Sequence, residues 1–389
     1  MPTVEGVRSI RVIKWVRKTL FLLLIGSLLG YGCEKADSRK LNPLLTIIHT
    51  NDIHGSVSPI GGLAQVATYI KNYKAQHPDE KVIVVDAGDK NRRNVYDDMT
   101  CGRLMFEVAA EVGYDYLAIG NHELNYGYRH FLNNLDSLSR GKTLNANIRL
   151  TDSDEYLVNP FDILMVNGVK IGIFSVVNDT PKLYNYPDLS ALRVTDPIQE
   201  TWTVLERLRQ EKVDITIALV HLGILQQQTT GAYGYDDYQT IEGIDLIIDG
   251  HEHYTCPADA NACDYRKPLL VRNEGYLRNG IGITKLWYQN GSLSISEQRV
   301  SKAELNGGSE EVLNSELLDP QVMKVYNNTT DKYNRIVGYN TWIQPLKTSV
   351  KAERRIGNTF CPRRFPAWVG TEDGVLLFGR TTALETPPD

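Results

Sequence analysis

Five of the eight histidines in this sequence, His54, His122, His221, His251 and His253, stand at or just after the ends of short apolar runs, and all but His221 lie within four positions of an aspartate or asparagine. That placement constrains the fold more than any other feature. A chain whose apolar runs repeatedly end in Asp, Asn or His either gathers those ends at one place or leaves them as unrelated loops. From Leu44 onward the runs alternate with segments of helical period, which reads as α/β. Strands are expected at Leu44 to His49, Lys81 to Val85, Tyr114 to Ile119, Lys142 to Ile148, Phe161 to Val166, Val169 to Val176, Asp214 to Val220 and Leu246 to Ile248. Helices are expected at Gly62 to Gln76, Gly102 to Val112, Arg129 to Ser139 and Pro197 to Glu211. Asn167-Gly168 is a two-residue hairpin signal, so the sheet is mixed. Runs at Leu269 to Val271, Ile281 to Tyr288 and Leu293 to Val300 read as a second, antiparallel stretch.

A hydrophobic content of 42% over 389 residues gives enough apolar surface for two or three domains and excludes a disordered chain. The formal net charge of -5 argues against a nucleic-acid partner and for a small or already neutralised substrate. Residues 1–33 read as an export signal: Arg8, Arg11, Lys14, Arg17 and Lys18 precede the apolar run Leu20 to Leu29, which is too short to span a bilayer. Small residues before Cys33 and polar residues after it resemble a bacterial lipoprotein signal, although Gly30 stands where an aliphatic residue is usual. The expectation is therefore an exported chain, periplasmic or anchored at the cell envelope through a lipid on Cys33. Without residues 1–32 the chain carries 37 basic and 46 acidic residues, so the positive charge serves targeting. Export permits disulfides; Cys256 and Cys263 are the natural pair, with pairings to Cys101 or Cys361 left open.

The candidate chemistry lies at the C-terminal ends of the expected strands, where open α/β sheets place ligands. The first ends in Asn51-Asp52-Ile53-His54-Gly55, the second in Asp86-Ala87-Gly88-Asp89 and the third in Gly120-Asn121-His122-Glu123. Later ones end in His221-Leu222-Gly223 and Asp249-Gly250-His251-Glu252-His253. One such piece means little, but five in one structural context point to converging imidazoles and carboxylates. These would repel or stay unsatisfied without a cation, and they suit Zn, Mn, Co or Fe. Strand residues two apart share a face, so Asp52 with His54, and His251 with His253, are expected to converge as strand pairs.

The segments "HTNDIHG", "GGLAQVATYI", "VDAGD", "GYDYLAIGNHELNYG", "LNANI", "VHLG" and "IDLIIDGHEH" resemble the calcineurin-like metallophosphoesterases. The closer resemblance is to the catalytic domain of the bacterial 5'-nucleotidase and 2',3'-cyclic phosphodiesterase group. It implies an αββα sandwich of two mixed sheets flanked by helices. It implies two divalent metal ions, one held by Asp52, His54 and His253, the other by Asn121, His221 and His251, with Asp89 bridging both. His122 matches the catalytic histidine, which stabilises the transition state or protonates the leaving alcohol. The implied reaction is hydrolysis of phosphate esters of nucleotides by metal-activated water.

Two departures qualify that reading. The group often reads GNHEFD where this chain has GNHELN, so Asn125 replaces a carboxylate beside His122 and slower turnover is expected. The group also continues into a C-terminal nucleobase-binding domain, whereas here the likeness stops after "AERRIGNT". The expected organisation is thus a signal segment at 1–33, a catalytic domain at 41–303, and a linker helix with the start of a second domain at 304–359. The tail, 360–389, is expected to be unstructured or out of frame. One codon choice for Arg363 to Trp368, read one base later, encodes Asp-Ala-Phe-Arg-His, close to what the group shows there. A metal-binding surface lipoprotein of impaired turnover is the alternative, and a sulfur-linked substrate has no residue in its favour.

Other residues read as structural. His49 is expected to hydrogen-bond near the ligand loop, and His77 and His130 to lie at helix ends. Tyr233, Tyr235 and Tyr238 read as lid or packing residues before substrate contacts. The stretch Lys90 to Arg93 reads equally as a phosphate contact and as a solvated loop.

Overall fold

Strand β1 (Leu45–Thr50) is buried along its whole length, which is what a strand covered on both faces requires. In the computed structural model, its alternate residues serve different cores. Leu45 and Ile47 face a second sheet, whereas Ile48 packs under helices. The structure describes residues 42–92, 94–135, 142–179, 189–224, 236–255 and 268–336, with two short strands at 368–370 and 376–378. The chain divides into a unit ending at Asn42 and another from Pro43 onward. Residues 1–33, expected as a signal segment, Tyr233, Tyr235 and the cysteines expected to pair, Cys256 and Cys263, lie outside the described residues. Cys101 is disulfide-bonded.

The first sheet continues from β1 through β2 (Val82–Asp86), β3 (Tyr116–Ala118) and β4 (Lys142–Leu144), all parallel. Helices α1 (Leu63–Gln76), α2 (Val95–Met99), α3 (Arg103–Val112) and α4 (Tyr128–Leu135) lie between these strands in sequence. The expected single strand from Lys142 to Ile148 is two strands, β4 and β5 (Ile148–Leu150). Asn145 breaks it, because its Oδ1 accepts hydrogen bonds from the backbone of Asn147 and Ile148 at 3.0 and 2.7 Å.

The second sheet holds β6 (Phe161–Val166) and β7 (Val169–Phe174), paired through the Asn167-Gly168 turn. After β8 (Leu192–Val194), which pairs with β5, comes helix α5 (Pro197–Gln210), capped by Asp196 with Pro197 in its first turn. Strands β9 (Ile215–Leu219), β10 (Leu246–Ile248) and β11 (Leu269–Val271) complete this sheet in parallel. The later strands therefore do not form one antiparallel stretch as expected. β11 joins the second sheet in parallel, and only β12 (Ile281–Gln289) and β13 (Ser292–Val300) run antiparallel, on the edge of the first. Arg272 and Asn273 follow β11 into the polar network described below, whereas β12 pairs with Leu45 to His49 of β1.

The sheets pack face to face through Ile47, Val85, Ile173 and Ile217, with helices outside both. The result is a sandwich of two mixed sheets flanked by helices. After the short α6 (Lys302–Leu305), helix α7 (Pro320–Ile336) lies on the outer helical layer. Val322 is buried there, and the backbone N–H of Asp319 donates to Ala64. In the tail, expected to be unstructured or out of frame, β14 (Trp368–Gly370) and β15 (Leu376–Phe378) pair antiparallel from two short strand-favouring runs.

Candidate metal centre

Because β1, β2 and β3 are adjacent and parallel, their C-terminal ends lie side by side, as do those of β9 and β10 in the facing sheet. The loops leaving these five ends bring Asp52, His54, Asp89, Asn121, His221, His251 and His253 together. Two groups have all ligand atoms within 4.8 Å of one another: Asp52 with His54 and His253, and Asp89 with His221 and His251. Asn121 adds its Oδ1, 3.1 Å from His251 Nδ1. Geometry also groups His122 with His54 and Asp89, so the residue singled out for catalysis lies within reach of the same place.

Convergence does not arise from strand alternation, as the spacing suggested. Asp52, His54, Asp89, His251 and His253 all have positive φ, between 48° and 84°, and sit in loops beyond the strand ends. Left-handed backbone is disfavoured for residues with a Cβ, so strain is concentrated at these side chains. The loops hold it with backbone hydrogen bonds from Asp52 to Gly88 and from His54 to Asp89, at 2.9 and 3.0 Å. Two glycines give the room: a Cβ on Gly120 would lie 2.2 Å from Asp89 Oδ1, and one on Gly250 would lie 2.6 Å from His221 Nδ1.

Three networks aim the candidate ligands, and the sequence reading gave Glu123, Asp249, Arg272, Asn51 and Asn273 no role in them. Glu123, third in the Asn121-His122-Glu123 run, accepts from the backbone of Asp89, Lys90, Asn91 and Gly120 at 2.7–3.3 Å. Asp249 accepts from Leu222, Gly223 and Ile224 after His221 and pairs at 2.7 Å with the buried Arg272. Asn51 donates to Asp52 and to the Asn273 carbonyl. His49 bonds Glu297 and Asn273, the expected structural role. His77 closes the end of α1 on the Tyr73 carbonyl. His130 is the third residue of α4, near its start. Tyr238 is wholly buried with its hydroxyl on Thr201, a packing residue. Lys90 matches neither expectation for its stretch: it is buried, 3.3 Å from Glu123 and over the Phe106 ring.

The electrostatics favour a cation. Burial opposes the charge of Asp52 and Asp89, yet the neighbouring histidines, His253 and His221 at Asp52 and chiefly His221 at Asp89, hold both carboxyls below their ordinary range. Burial pushes His54 and His251 down to about 4. Burial also opposes charge on His221, but Asp89 and Asp52 prevail and push it up to about 10. The Nδ1 of His221 lies 2.7 Å from the Ala87 carbonyl, which directs Nε2 into the site. That Nε2 is buried and, although 3.2 Å from Asp89 Oδ2, has no aligned hydrogen-bond partner among the described residues. His54 Nε2 and His253 Nε2 face each other at 2.9 Å. An orphaned imidazole nitrogen, two facing ones and two anionic carboxylates fit a divalent ion of the Zn, Mn, Co or Fe class.

The sequence pattern of the family described as calcineurin-like phosphoesterase matches residues 45–255, more than half of the chain. The chain belongs to this family. It is 27% identical over 350 residues to a 5'-nucleotidase of Vibrio cholerae, across 79% of this chain and 62% of that protein. It is 27% identical to the snake venom 5'-nucleotidase of Gloydius brevicauda, across 65% of this chain and 45% of that one. The chain thus spans about half the length of the curated relatives it matches. Among solved structures, the calcineurin-like phosphoesterase YfkN from Bacillus subtilis superposes with a TM-score of 0.59 at 24% identity, over 75% of this chain and 98% of that one. The NAD nucleotidase of Haemophilus influenzae superposes with a TM-score of 0.60 at 18% identity, over 75% of this chain and 60% of that one. Both likenesses are of fold.

Proposed function

We propose that this chain is an exported, two-metal phosphohydrolase that cleaves phosphate esters of nucleotides. The observation that carries the reading is the gathering of two His and carboxylate groups around the orphaned Nε2 of His221. Asp52, His54 and His253 would hold one ion, and Asn121, His221 and His251 the other, with Asp89 between them. Divalent ions held there would supply Lewis acidity and a nucleophilic water at neutral pH. Asn121 contributes a neutral oxygen, which leaves the centre cationic enough to draw in a phosphate. His122, its backbone N–H donating to Asp89 at 2.8 Å, places its ring beside the ligands to protonate the leaving alcohol or stabilise the transition state.

The organisation that accompanies this reading has residues 1–33 as a lipoprotein-type signal, with attachment through Cys33, and 41–303 as the catalytic domain. Residues 304–359 would be a linker and the start of a second domain, and 360–389 a tail without function. The nucleotide preference is supported by the 5'-nucleotidases among the relatives.

The test is metal content and hydrolysis by the purified protein with Mn, Co and Zn added separately, first on 4-nitrophenyl phosphate and then on AMP. Near two ions per chain with cleavage of both substrates is the expected outcome. Cleavage of the nitrophenyl ester alone would place nucleotide specificity outside the catalytic domain. Two ions and no turnover on either would establish the second reading, a metal-binding surface protein, which Asn125 beside His122 favours.

A further inference from the structure

Arg92 is a non-glycine residue at φ 81°, three positions after Asp89. Its conformation is fixed from several directions. The Arg92 N–H donates to Asp97 at 3.0 Å, and the backbone of Lys90 and Asn91 is held by Glu123. The Asn91 amide donates to Asp97 and to the Gly102 carbonyl, and the Asn94 amide donates to the Gly55 carbonyl at 3.0 Å. Left-handed backbone at a residue with a long side chain persists only when its surroundings over-determine it, so what the conformation delivers becomes the question.

It delivers the guanidinium to His122. Arg92 Nη1 lies 3.1 Å from Nδ1 and 3.0 Å from Nε2 of that ring. This contact does not serve to orient the ring, because Asn125 Nδ2 already sits 2.9 Å from Nδ1 and the His122 backbone is tied to Asp89. Among the described residues no carboxylate stands within ion-pair distance of Arg92. The neighbouring Lys90 is consumed by Glu123 and Phe106. Asp98 feels the field of Arg92 without an ion pair to it, and Asp97 takes only its backbone N–H, so a fixed cation with no direct ion pair among the described residues stands at the edge of a metal centre, where an anion would arrive. The planar fork of a guanidinium matches two oxygens of one phosphoryl group.

We propose that Arg92 is a substrate-binding residue that grips the non-bridging oxygens of a terminal phosphoryl group. By doing so it gives the site a preference for phosphate monoesters, dianionic at neutral pH, over singly charged diesters. The proposal rests on the phosphohydrolase reading above and names its substrate class.

The experiment uses the full chain with Mn and compares the wild type, Arg92→Gln and Arg92→Lys. It measures kcat/KM on 4-nitrophenyl phosphate and on bis(4-nitrophenyl) phosphate, the Kd for inorganic phosphate by calorimetry, bound Mn and Tm. Loss of a charge-assisted bidentate contact should lower kcat/KM on the monoester by about 10- to 100-fold in Arg92→Gln and weaken phosphate binding comparably, with the diester changed by less than about threefold. Arg92→Lys, which keeps the charge without the fork, should fall between. It decides the matter if Arg92→Gln loses Mn or melts early. An unchanged monoester-to-diester ratio and phosphate Kd in both variants would overturn the proposal while leaving the phosphohydrolase reading intact. A wild-type chain that cleaves neither ester would overturn both.

Discussion

The two sheets supply the centre with different chemistry. Loops from the first carry Asp52, Asp89 and the amide of Asn121 along with His54, whereas those from the second carry only imidazoles, His221, His251 and His253. Each side is drawn together by one buried carboxylate that collects backbone N–H groups, but the two are built differently. Glu123 ties the loops after β2 and β3 directly at Asp89, a proposed ligand, and its cation Lys90 stands at 3.3 Å. Asp249 ties residues after His221 instead, and closes on Arg272 at 2.7 Å with both side chains wholly buried. Arg272 in turn donates to the carbonyls of Tyr254 and Ile224. The difference suggests that the first tie aims a ligand and the second holds the sheet ends together.

The largest expected effect tests that division. Asp249→Ala leaves Arg272 as an uncompensated buried charge beside three unpaired N–H groups, and should cost about 3–5 kcal/mol of stability by urea unfolding. A loss below about 1 kcal/mol would break the comparison. Next in size, Glu123→Gln keeps the shape and one acceptor, so its effect should show in metal binding. Chelator competition should find the affinity about 10- to 100-fold weaker. If Glu123→Gln instead melts as early as Asp249→Ala and binds metal normally, the two ties do the same job.

Burial also makes the first side sensitive to pH. It raises the Asp97 carboxyl, which anchors Arg92 and Asn91, to about 7, and that of Asp86, at the end of β2, to about 7. A folded state that keeps a proton the unfolded chain releases is favoured in acid. The stability from Asp97 is fully present below about pH 4 and is lost as pH rises through 7. Between pH 5.5 and 7.5 that loss should be about 2 kcal/mol. Asp97→Asn should flatten this part of the profile and leave the share due to Asp86. A slope unchanged by Asp97→Asn would remove Asp97 from the account. On the second side, burial raises Asp249 as well, but Arg272 works against it.

What the sequence revealed follows the same line. The residues that the structure gathers at the candidate centre were legible because each lies within a few positions of a strand end, and strand ends are marked by local apolar runs. Their backbone conformation was not, because a spacing of two fits strand alternation and a left-handed turn alike. Asp249 and Arg272 are 23 positions apart, and only the parallel pairing of β10 with β11 makes them neighbours. Arg92 was visible as one basic residue among three. Its separation from the buried Lys90 depends on Glu123 and Asp97, whose roles appear only when four loops are folded together.

The smallest expected effect concerns Asn125, which stands where the resembled nucleotidase group often carries an aspartate. His122 is pushed down by burial, and although Asp89 works against this, Arg92 adds to it. Asn125 presents its Nδ2 to Nδ1 at 2.9 Å and supplies no opposing charge. Asn125→Asp would place a carboxylate where the amide nitrogen stands, accept a proton-bearing Nδ1 and favour the charged imidazole that a general acid needs. Turnover of a phosphate monoester at saturating Mn should rise by about three- to tenfold, with the alkaline limb of the kcat profile moving to higher pH. Arg92 sharpens the expectation: in an Arg92→Gln background the same substitution should shift the limb further, because the cation that opposes it is gone. Turnover and profile unchanged in both backgrounds would mean that the protonation of His122 does not limit the reaction, and that Asn125 costs this chain nothing.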